Sequence, residues 1–190
     1  PRGWVEIDHL NKRSYMPIVI SEDWAFFNHE GVDLRQVRLA ITDFLDGKKL
    51  RGASTISQQV VKNLFTSGQR SFLRKAKELV STILLEKFVS KKKILEIYLN
   101  IIQYGDGIYG LNQAANYYFK KPASQLRVKE AAFIAMLLPS PIRYAQSFRE
   151  KNLSAYARQT INNILHKLTI VKVIEKKNLE ALKKEPLSFE

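Results

Sequence analysis

Two adjacent carboxylates, Glu22 and Asp23, precede a histidine, His29, by seven and six residues in the segment SEDWAFFNHEG. The residues between them include three aromatics: Trp24, Phe26 and Phe27. A carboxylate that is held beside apolar rings is desolvated and becomes more basic, as a general base requires. The segment therefore makes Glu22 a candidate for a general base. A helix cap or a surface carboxylate fits the same spacing, and a lone histidine is more often structural than catalytic.

A second candidate site lies in the segment RGASTISQQVVKN, residues 51–63. A serine or threonine can cap a helix here, and two polar stripes with a spacing of four residues follow along it. Because the first turn of a helix exposes free N–H groups, the arrangement suits the hydroxyls and phosphates of a large polar ligand. A capped helix with a solvated amide face explains the pattern equally well. The candidate ligand-binding residues are Ser54, Thr55, Gln58, Gln59, Lys62 and Asn63.

A third candidate site is a row of cations on the next predicted helix. Arg70, Arg74 and Lys77 recur at helical spacing, and Glu78 follows Arg74 by four residues. Such a row can hold a diphosphate as it leaves, while the glutamate fixes an arginine or binds a metal. The competing interpretation is an exposed face with one ion pair, which contributes only about 0.3–0.5 kcal/mol.

The composition restricts both the partners and the chemistry. The chain has 190 residues, of which 45% are hydrophobic, enough for one domain with a core. Its formal net charge of +13 attracts an anionic partner such as nucleic acid, a phosphate ester or a membrane surface. Cysteine is absent, which excludes thiolate catalysis, and the three histidines are too far apart for a metal-binding motif. No apolar run reaches the roughly 18 residues of a membrane-spanning helix.

The elements that must position these residues are helices. Apolar residues at helical spacing predict an amphipathic helix that ends at Gly47. Serine or threonine caps predict three further helices that begin near Ser54, Ser71 and Ser90. The helix after Ser71 is expected to bury a stripe made of Phe72, Ala76, Leu79, Val80, Ile83 and Leu84.

The second half of the chain also reads as helical. The segment YGDGIYG predicts a glycine-rich turn, and PSP at residues 139–141 predicts a sharp break. Helices are predicted over residues 111–119, 124–138 and 149–170. The predicted fold class is therefore mainly α, in one domain with short connections.

Four blocks in order carry a resemblance to a known family. They are EDWAFFNHEG, GASTISQQ with the VKN that follows it, RKAKE at residues 74–78, and KKKILEIYLN at residues 91–100. The sequence resembles the peptidoglycan glycosyltransferases, which occur as monofunctional enzymes and as the polymerase domain of bifunctional penicillin-binding proteins. Most of the chain, about residues 4–144, is covered by the resemblance.

The resemblance implies a domain organisation and a reaction. A single glycosyltransferase domain is expected over residues 1–190, with a lysozyme-like helical lobe and a helical tail over residues 150–190. A smaller, membrane-facing lobe with a mobile segment is expected near residues 33–51. The implied reaction joins lipid II disaccharide units to a growing lipid-linked glycan strand by inverting transfer, with release of the lipid diphosphate.

The resemblance also implies roles for the candidate residues. Glu22 is the expected general base, and Glu78 is the second catalytic carboxylate, which organises the cations around the diphosphate. A divalent metal, Mg²⁺ or Mn²⁺, held on the diphosphate by Glu78 is an alternative to the cations. The expected substrate-binding residues are Ser54, Thr55, Gln58, Gln59, Lys62, Asn63, Arg70, Arg74, Lys75 and Lys77.

The implied partners are lipid II, the lipid-linked glycan strand, an anionic membrane surface and other proteins of cell-wall synthesis, with no nucleic acid. The implied location is the periplasmic face of a bacterial inner membrane, with an anchoring segment ahead of this chain. A monofunctional enzyme is expected rather than one half of a bifunctional protein, because the helical tail gives no sign of a second domain.

Two other functions remain compatible with the residues. A lysozyme-like hydrolase would use Glu22 and Glu78 as its two carboxyl groups, but hydrolysis of a glycan needs no cations for a diphosphate. A basic helical nucleic-acid-binding module would explain the net charge, but no recognised nucleic-acid motif is present.

Overall fold

A computed structural model of the chain describes residues 3–47, 54–65 and 72–190, with only the backbone at Ala40, Ile41, Phe44 and Phe72. The described chain is mainly α, as the sequence predicts, with one small two-stranded sheet. The lysozyme-like character of the helical lobe stays a prediction. The elements are α1 (Lys12–Glu22), α2 (Leu34–Leu45), α3 (Ile56–Phe65), α4 (Phe72–Phe88), α5 (Lys91–Ile101), β1 (Gln103–Gly105), β2 (Ile108–Tyr109), α6 (Leu111–Phe119), α7 (Val128–Leu137), α8 (Pro141–Tyr144), α9 (Gln146–Arg149), α10 (Ala155–Ile170) and α11 (Leu179–Lys184), with 3₁₀ turns at Ile7–His9, Phe26–Asn28, Ala123–Gln125 and Lys176–Asn178.

The helices with local start and stop signals lie where the sequence predicts them. Helix α6 matches its prediction end to end, and α2 ends just before Gly47, whose φ is +69°. The predicted starts at residues 124 and 149 are wrong, because α7 begins at Val128 after a 3₁₀ turn and α10 begins at Ala155 after the separate helix α9. Helix α5 follows Ser90, whose Oγ accepts a hydrogen bond from Lys93 N at 3.3 Å, as a cap does. The predicted cap at Ser71 and the basic residues 48–51 lie outside the described residues.

The chain divides into two compact units, which we call the terminal unit (residues 1–22 and 99–190) and the central unit (residues 23–98). In the terminal unit, α1 and α10 pack on α7, every residue of which is buried. The sequence VKEAAFIAML explains this position, because a helix that is apolar almost all round must be covered on every side. Its one acidic residue, Glu130, is satisfied by Lys121 at 2.9 Å and Arg127 at 3.0 Å.

The segment predicted as a glycine-rich turn is a short β-hairpin in the terminal unit. Gln103 pairs with Tyr109 and Gly105 with Ile108, in antiparallel orientation. Asp106 and Gly107 form the turn, where Gly107 has a φ of +67° that favours glycine. The hairpin is anchored by Tyr118, whose hydroxyl donates to the carbonyl of Tyr104 at 2.9 Å.

In the central unit, α3 packs on α4. The prediction of which face of α4 is buried is wrong. Leu79, Val80, Ile83 and Leu84 are 40–58% exposed, and Ala76 is exposed as well. The helix instead buries a polar face, with Glu78 at 4% and Thr82 at 0% exposure. Apolar spacing identified the right helix but the wrong inward face, because the inward carboxylates of α4 find partners within the unit.

Gly31 allows the close approach of its loop to this polar face. Its φ is +84°, and an added Cβ would lie 2.8 Å from Thr82 Cγ2 and 3.0 Å from Glu86 Cγ. Any side chain at this position would therefore push the loop that carries His29 away from α4.

Candidate active site

The carboxylate of Asp23, which is 6% exposed, has several hydrogen-bond partners in the central unit. Both of its oxygens lie 3.0 Å from His29 Nε2, and its Oδ2 also accepts the backbone N–H of Ile56 at 3.0 Å. His29 Nδ1 in turn accepts the N–H of Gly31 at 3.1 Å. The carboxylate thus links the SEDWAFFNHEG segment to the first turn of α3, where a negative charge is also favoured by the helix dipole.

The start of α3 is closed by a reciprocal cap. Thr55 Oγ1 accepts from Gln58 N at 3.2 Å, and Gln58 Oε1 accepts from Thr55 N at 3.2 Å. The Thr55 hydroxyl also donates to the carbonyl of Gly31 at 2.6 Å. Both side chains are buried, so they fix the geometry of the helix start and of the loop that faces it.

A second acidic residue, Glu86, joins three helices of the same unit. Its Oε1 accepts from Lys91 Nζ at 2.6 Å and from the hydroxyl of Ser57. Lys91 Nζ also lies 4.4 Å from the centre of the buried Phe26 ring, a cation–π geometry. These contacts connect α3, α4 and α5 to the 3₁₀ turn that follows Asp23.

Helix α4 brings two of its predicted cations to one carboxylate. Glu78 Oε1 lies 3.3 Å from Arg74 Nε, and Glu78 Oε2 lies 3.4 Å from Lys75 Nζ. Lys77 is exposed on the same helix, and Arg70 lies outside the described residues. Because Glu78 is buried, its ion pair with Arg74 is not the exposed i, i+4 contact of the competing interpretation.

The surroundings of Glu78 do not fit a metal ion held by the protein. Both carboxylate oxygens face cations, whereas Mg²⁺ and Mn²⁺ prefer clustered oxygen ligands. Within residues 3–47, 54–65 and 72–190, no group of three or more acidic or histidine side chains is placed to hold a metal. A metal on the diphosphate stays a prediction.

Four of the predicted substrate-binding residues lie on or before α3 with access to solvent. Ser54, Lys62 and Asn63 are exposed, and Gln59 is partly exposed. Gln59 Oε1 accepts from the hydroxyl of Tyr98 at 3.2 Å, and Asn63 Nδ2 donates to the carbonyl of Gln59 at 2.8 Å. The amide stripe of α3 therefore has a buried end, near its cap, and an exposed end.

Glu22 is the last residue of α1 and is partly exposed, in the terminal unit. Its charge acts on Tyr104, a fully buried residue of β1 whose hydroxyl has no hydrogen-bond partner in the described structure. Burial first, and the negative charge of Glu22 second, raise the pKa of Tyr104 well above its usual value.

The aromatic trio does not form the apolar enclosure that the sequence argument expected. Phe26 is fully buried, but Trp24 is 44% and Phe27 is 52% exposed. Rings that are half in water cannot exclude water from a neighbouring carboxylate. Phe26 instead packs edge-on to Phe27, with 5.0 Å between the ring centres, and supports Lys91.

Sequence reasoning missed the anchoring role of Asp23 and the contacts of Glu86. Asp23 was visible only as the neighbour of a candidate base, and its partner Ile56 is 33 residues away. One signal was available: the first motif block, EDWAFFNHEG, begins with two acidic residues, Glu22 and Asp23, and a single general base explains only one of them. Glu86 lies outside all four blocks.

The described chain is mainly helical, and in its central unit the buried carboxylate of Glu78 lies beside two cations, Arg74 and Lys75. Residues 1–169 match the profile of the transglycosylase family, and the chain belongs to that family.

Relatives of the chain include proteins named biosynthetic peptidoglycan transglycosylase. The protein from Brucella suis biovar 1 is 41% identical over 157 residues, which are 83% of this chain and 70% of that protein. The protein from Shewanella frigidimarina is 43% identical over 158 residues, or 83% of this chain and 68% of that protein. The protein from Marinomonas sp. strain MWYL1 is 45% identical over 161 residues, or 84% and 69%.

Across the described ranges, the helices are too short or too polar to cross a membrane.

We expect Asp23→Asn to lower the free energy of unfolding by about 2 kcal/mol, because an amide has one acceptor oxygen for donors that now share two. Urea unfolding measures the change. Asp106→Asn, an exposed aspartate in the hairpin turn, is the matched control and should be neutral. Equal effects of the two substitutions would contradict the anchoring role of Asp23.

We expect Tyr104→Phe to raise the free energy of unfolding by about 1 kcal/mol, because it removes a buried hydroxyl that has no partner in the described structure. The control is Tyr118→Phe, which removes a hydroxyl that does have a partner and should lower stability. Thermal unfolding of both variants gives the comparison. If both substitutions lower stability, the Tyr104 hydroxyl is satisfied in solution.

Proposed function

We propose that this chain is a peptidoglycan polymerase that transfers a lipid-linked glycan strand to the 4-hydroxyl of lipid II. Membership of the transglycosylase family and the printed names of its relatives support peptidoglycan as the substrate class. The reaction then belongs on the extracytoplasmic side, where peptidoglycan is assembled. The transfer inverts the anomeric centre and releases the lipid diphosphate.

The observation that carries the proposal is the difference in burial between the two adjacent acids, Glu22 and Asp23. Asp23 is buried, and its oxygens accept hydrogen bonds from His29 and from the backbone N–H of Ile56. Glu22 ends α1 and stays partly exposed. A general base must reach the proton that it removes, so the geometry favours Glu22 as the base and Asp23 as the residue that fixes its segment.

In the proposed reaction, Glu22 takes the proton of the acceptor hydroxyl while the oxygen attacks the anomeric carbon of the donor. The bond between that carbon and the diphosphate breaks, and the diphosphate carries away the electron pair. General-base catalysis contributes roughly 10²–10⁴ in rate. The cations that stabilise the leaving charge are Lys62, Arg70, Arg74, Lys75 and Lys77 in this proposal.

Glu78 acts in our proposal by ordering cations rather than by accepting a proton. Its contacts with Arg74 and Lys75 support this role, because a buried carboxylate between two cations holds them at fixed positions. Ser54, Gln59 and Asn63 are proposed to contact the sugar and phosphate oxygens directly. Thr55 and Gln58 are proposed to act through the helix start that they cap.

We further propose that the central unit lies against an anionic membrane surface. Helix α2 exposes Leu34 and Leu45 at 76% and 77%, beside the exposed Arg35 and Arg38. Apolar residues beside cations suit the interface of an anionic bilayer.

Helix α4 extends this proposed membrane surface. A cavity of about 720 Å³ is lined by residues of both helices, Leu34 and Arg35 from α2 and Leu79 and Ile83 from α4. Exposed apolar residues of α2 and α4 thus line one cavity, together with the polar residues Asn28, His29, Glu30 and Asp33, and we propose that both helices face the membrane.

The hydrolase and the nucleic-acid module are less well supported. A hydrolase would need Glu78 as a second reacting carboxyl group, yet both oxygens of Glu78 face cations. A nucleic-acid module would leave the exposed apolar face of α4 without a use.

We expect Glu22→Gln to lower the rate of polymer formation from lipid II by at least about 100-fold, because the amide keeps the shape but cannot accept the proton. Glu30→Gln, an exposed carboxylate of the same segment, is the matched control and should keep its activity. Circular dichroism and urea unfolding check that both variants are folded. Retention of more than about a tenth of the rate by Glu22→Gln would exclude Glu22 as the base.

We expect the double substitution Ile83→Ser and Leu84→Ser to weaken partition onto vesicles that contain phosphatidylglycerol by about tenfold or more, given the free energy of burying such side chains. Ile170→Ser replaces an apolar residue of similar exposure in the terminal unit and should leave partition unchanged. Sedimentation with vesicles gives both values. An equal loss in the control would show that the effect is not specific to α4.

A further inference from the structure

The terminal unit contains a cavity of about 480 Å³ that has no part in the reaction described above. It opens between the end of α7, the short helices α8 and α9, and the start of α10, and it holds none of the candidate catalytic residues. Its size is within the range of pockets that bind small molecules. Its lining consists of Met136, Arg143, Tyr144, Gln146, Ser147, Glu150, Ser154, Tyr156 and Ala157.

The floor of the cavity is buried and its wall is aromatic. Met136 and Ala157 are 1% exposed. Tyr144 and Tyr156 stack with their ring centres 5.0 Å apart and an angle of 27° between the planes. The pKa of Tyr144 is raised above its usual value, first by a hydrogen bond with the Tyr156 side chain and then by burial. Tyr156 remains 48% exposed.

The polar groups of the cavity include both charges and hydroxyls. Arg143 and Glu150 are exposed and have opposite charge. Ser147 Oγ accepts from Ser154 N at 3.3 Å, and Ser154 Oγ accepts from Ala157 N at 3.2 Å. A hydroxyl that accepts a backbone N–H still has its own proton to donate. The cavity therefore offers a ring surface, hydroxyl donors, one cation and one anion.

We propose that this cavity binds a peptide-bearing saccharide unit of the glycan strand, away from the reacting end. The apolar C–H face of a pyranose fits the exposed face of Tyr156, because these hydrogens are attracted by the negative face of an aromatic ring. Arg143 pairs with a carboxylate of the stem peptide. Glu150, whose Oε1 already accepts from Gln146 Nε2 at 2.6 Å, accepts from an amine or hydroxyl through Oε2. The carboxylate of Glu150 disfavours nucleic acid, and the two charges disfavour a lipid chain.

The choice of ligand rests on the proposed polymerase function. A strand that is held at a second site stays near the enzyme after each transfer, because the second contact raises its effective concentration. The cavity would then act on the length of the product and not on the chemistry of a single transfer.

The test measures binding of a lipid-free, peptide-bearing tetrasaccharide of peptidoglycan by calorimetry. We expect Tyr156→Ala and Arg143→Ala each to weaken binding by about tenfold, which is about 1.4 kcal/mol. Tyr156→Phe keeps the ring and should retain most of the affinity. Lys176→Ala removes an exposed cation elsewhere in the terminal unit and should bind like the unchanged protein. Peptide-free oligosaccharide should bind more weakly than the peptide-bearing fragment.

The proposal is overturned if the unchanged protein does not bind the fragment, or if Tyr156→Ala and Arg143→Ala bind as it does. Equal binding of peptide-free sugar would overturn the role of the charges. Because the fragment carries no lipid diphosphate, binding is measured without turnover. If the protein forms polymer but does not bind the fragment, only the binding role of the cavity is refuted. If it binds the fragment but forms no polymer, the polymerase function is refuted.

Discussion

The buried carboxylate of Asp23 is the contact on which the rest of the central unit depends. A charge with so little exposure is stable only when its oxygens are satisfied, and His29 and the N–H of Ile56 satisfy them. His29 also accepts the N–H of Gly31, and Thr55, next to Ile56, donates to the carbonyl of Gly31, so the loop at Gly31 and the first turn of α3 are connected through Asp23. Because the oxygens of Asp23 are occupied in this way and Glu22 is partly exposed, we propose Glu22 as the member of the acidic pair that acts on the substrate.

The elements that the sequence predicted well are those with local signals. Helices α3 and α6 have capping or glycine residues at their ends and a clear apolar spacing, and these interactions lie within a few residues. Helix α1 was missed because its buried residues Ile18, Val19 and Ile20 are consecutive, which gives no helical period, and because it contains Pro17.

The site was less predictable because its contacts are long-range. Glu22 and the cations were named from spacing and from the resemblance to a family, whereas the bond from Asp23 to Ile56 joins residues 33 apart. The prediction of the buried face of α4 failed for a related reason. Apolar spacing assumes that a carboxylate faces water, but Glu78 and Glu86 have partners inside the unit. The apolar face of α4 is left outward, and we propose that this face contacts a membrane surface.

A polymerase joins glycan units and a hydrolase cuts them, and the product formed from purified lipid II distinguishes the two activities. If the chain is a polymerase, incubation of lipid II with it gives a ladder of long glycan on a gel, and a muramidase digests that ladder. Short fragments from preformed peptidoglycan, without any polymer from lipid II, would contradict this function and identify a hydrolase. No change in either substrate, by a folded protein on vesicles, would contradict both.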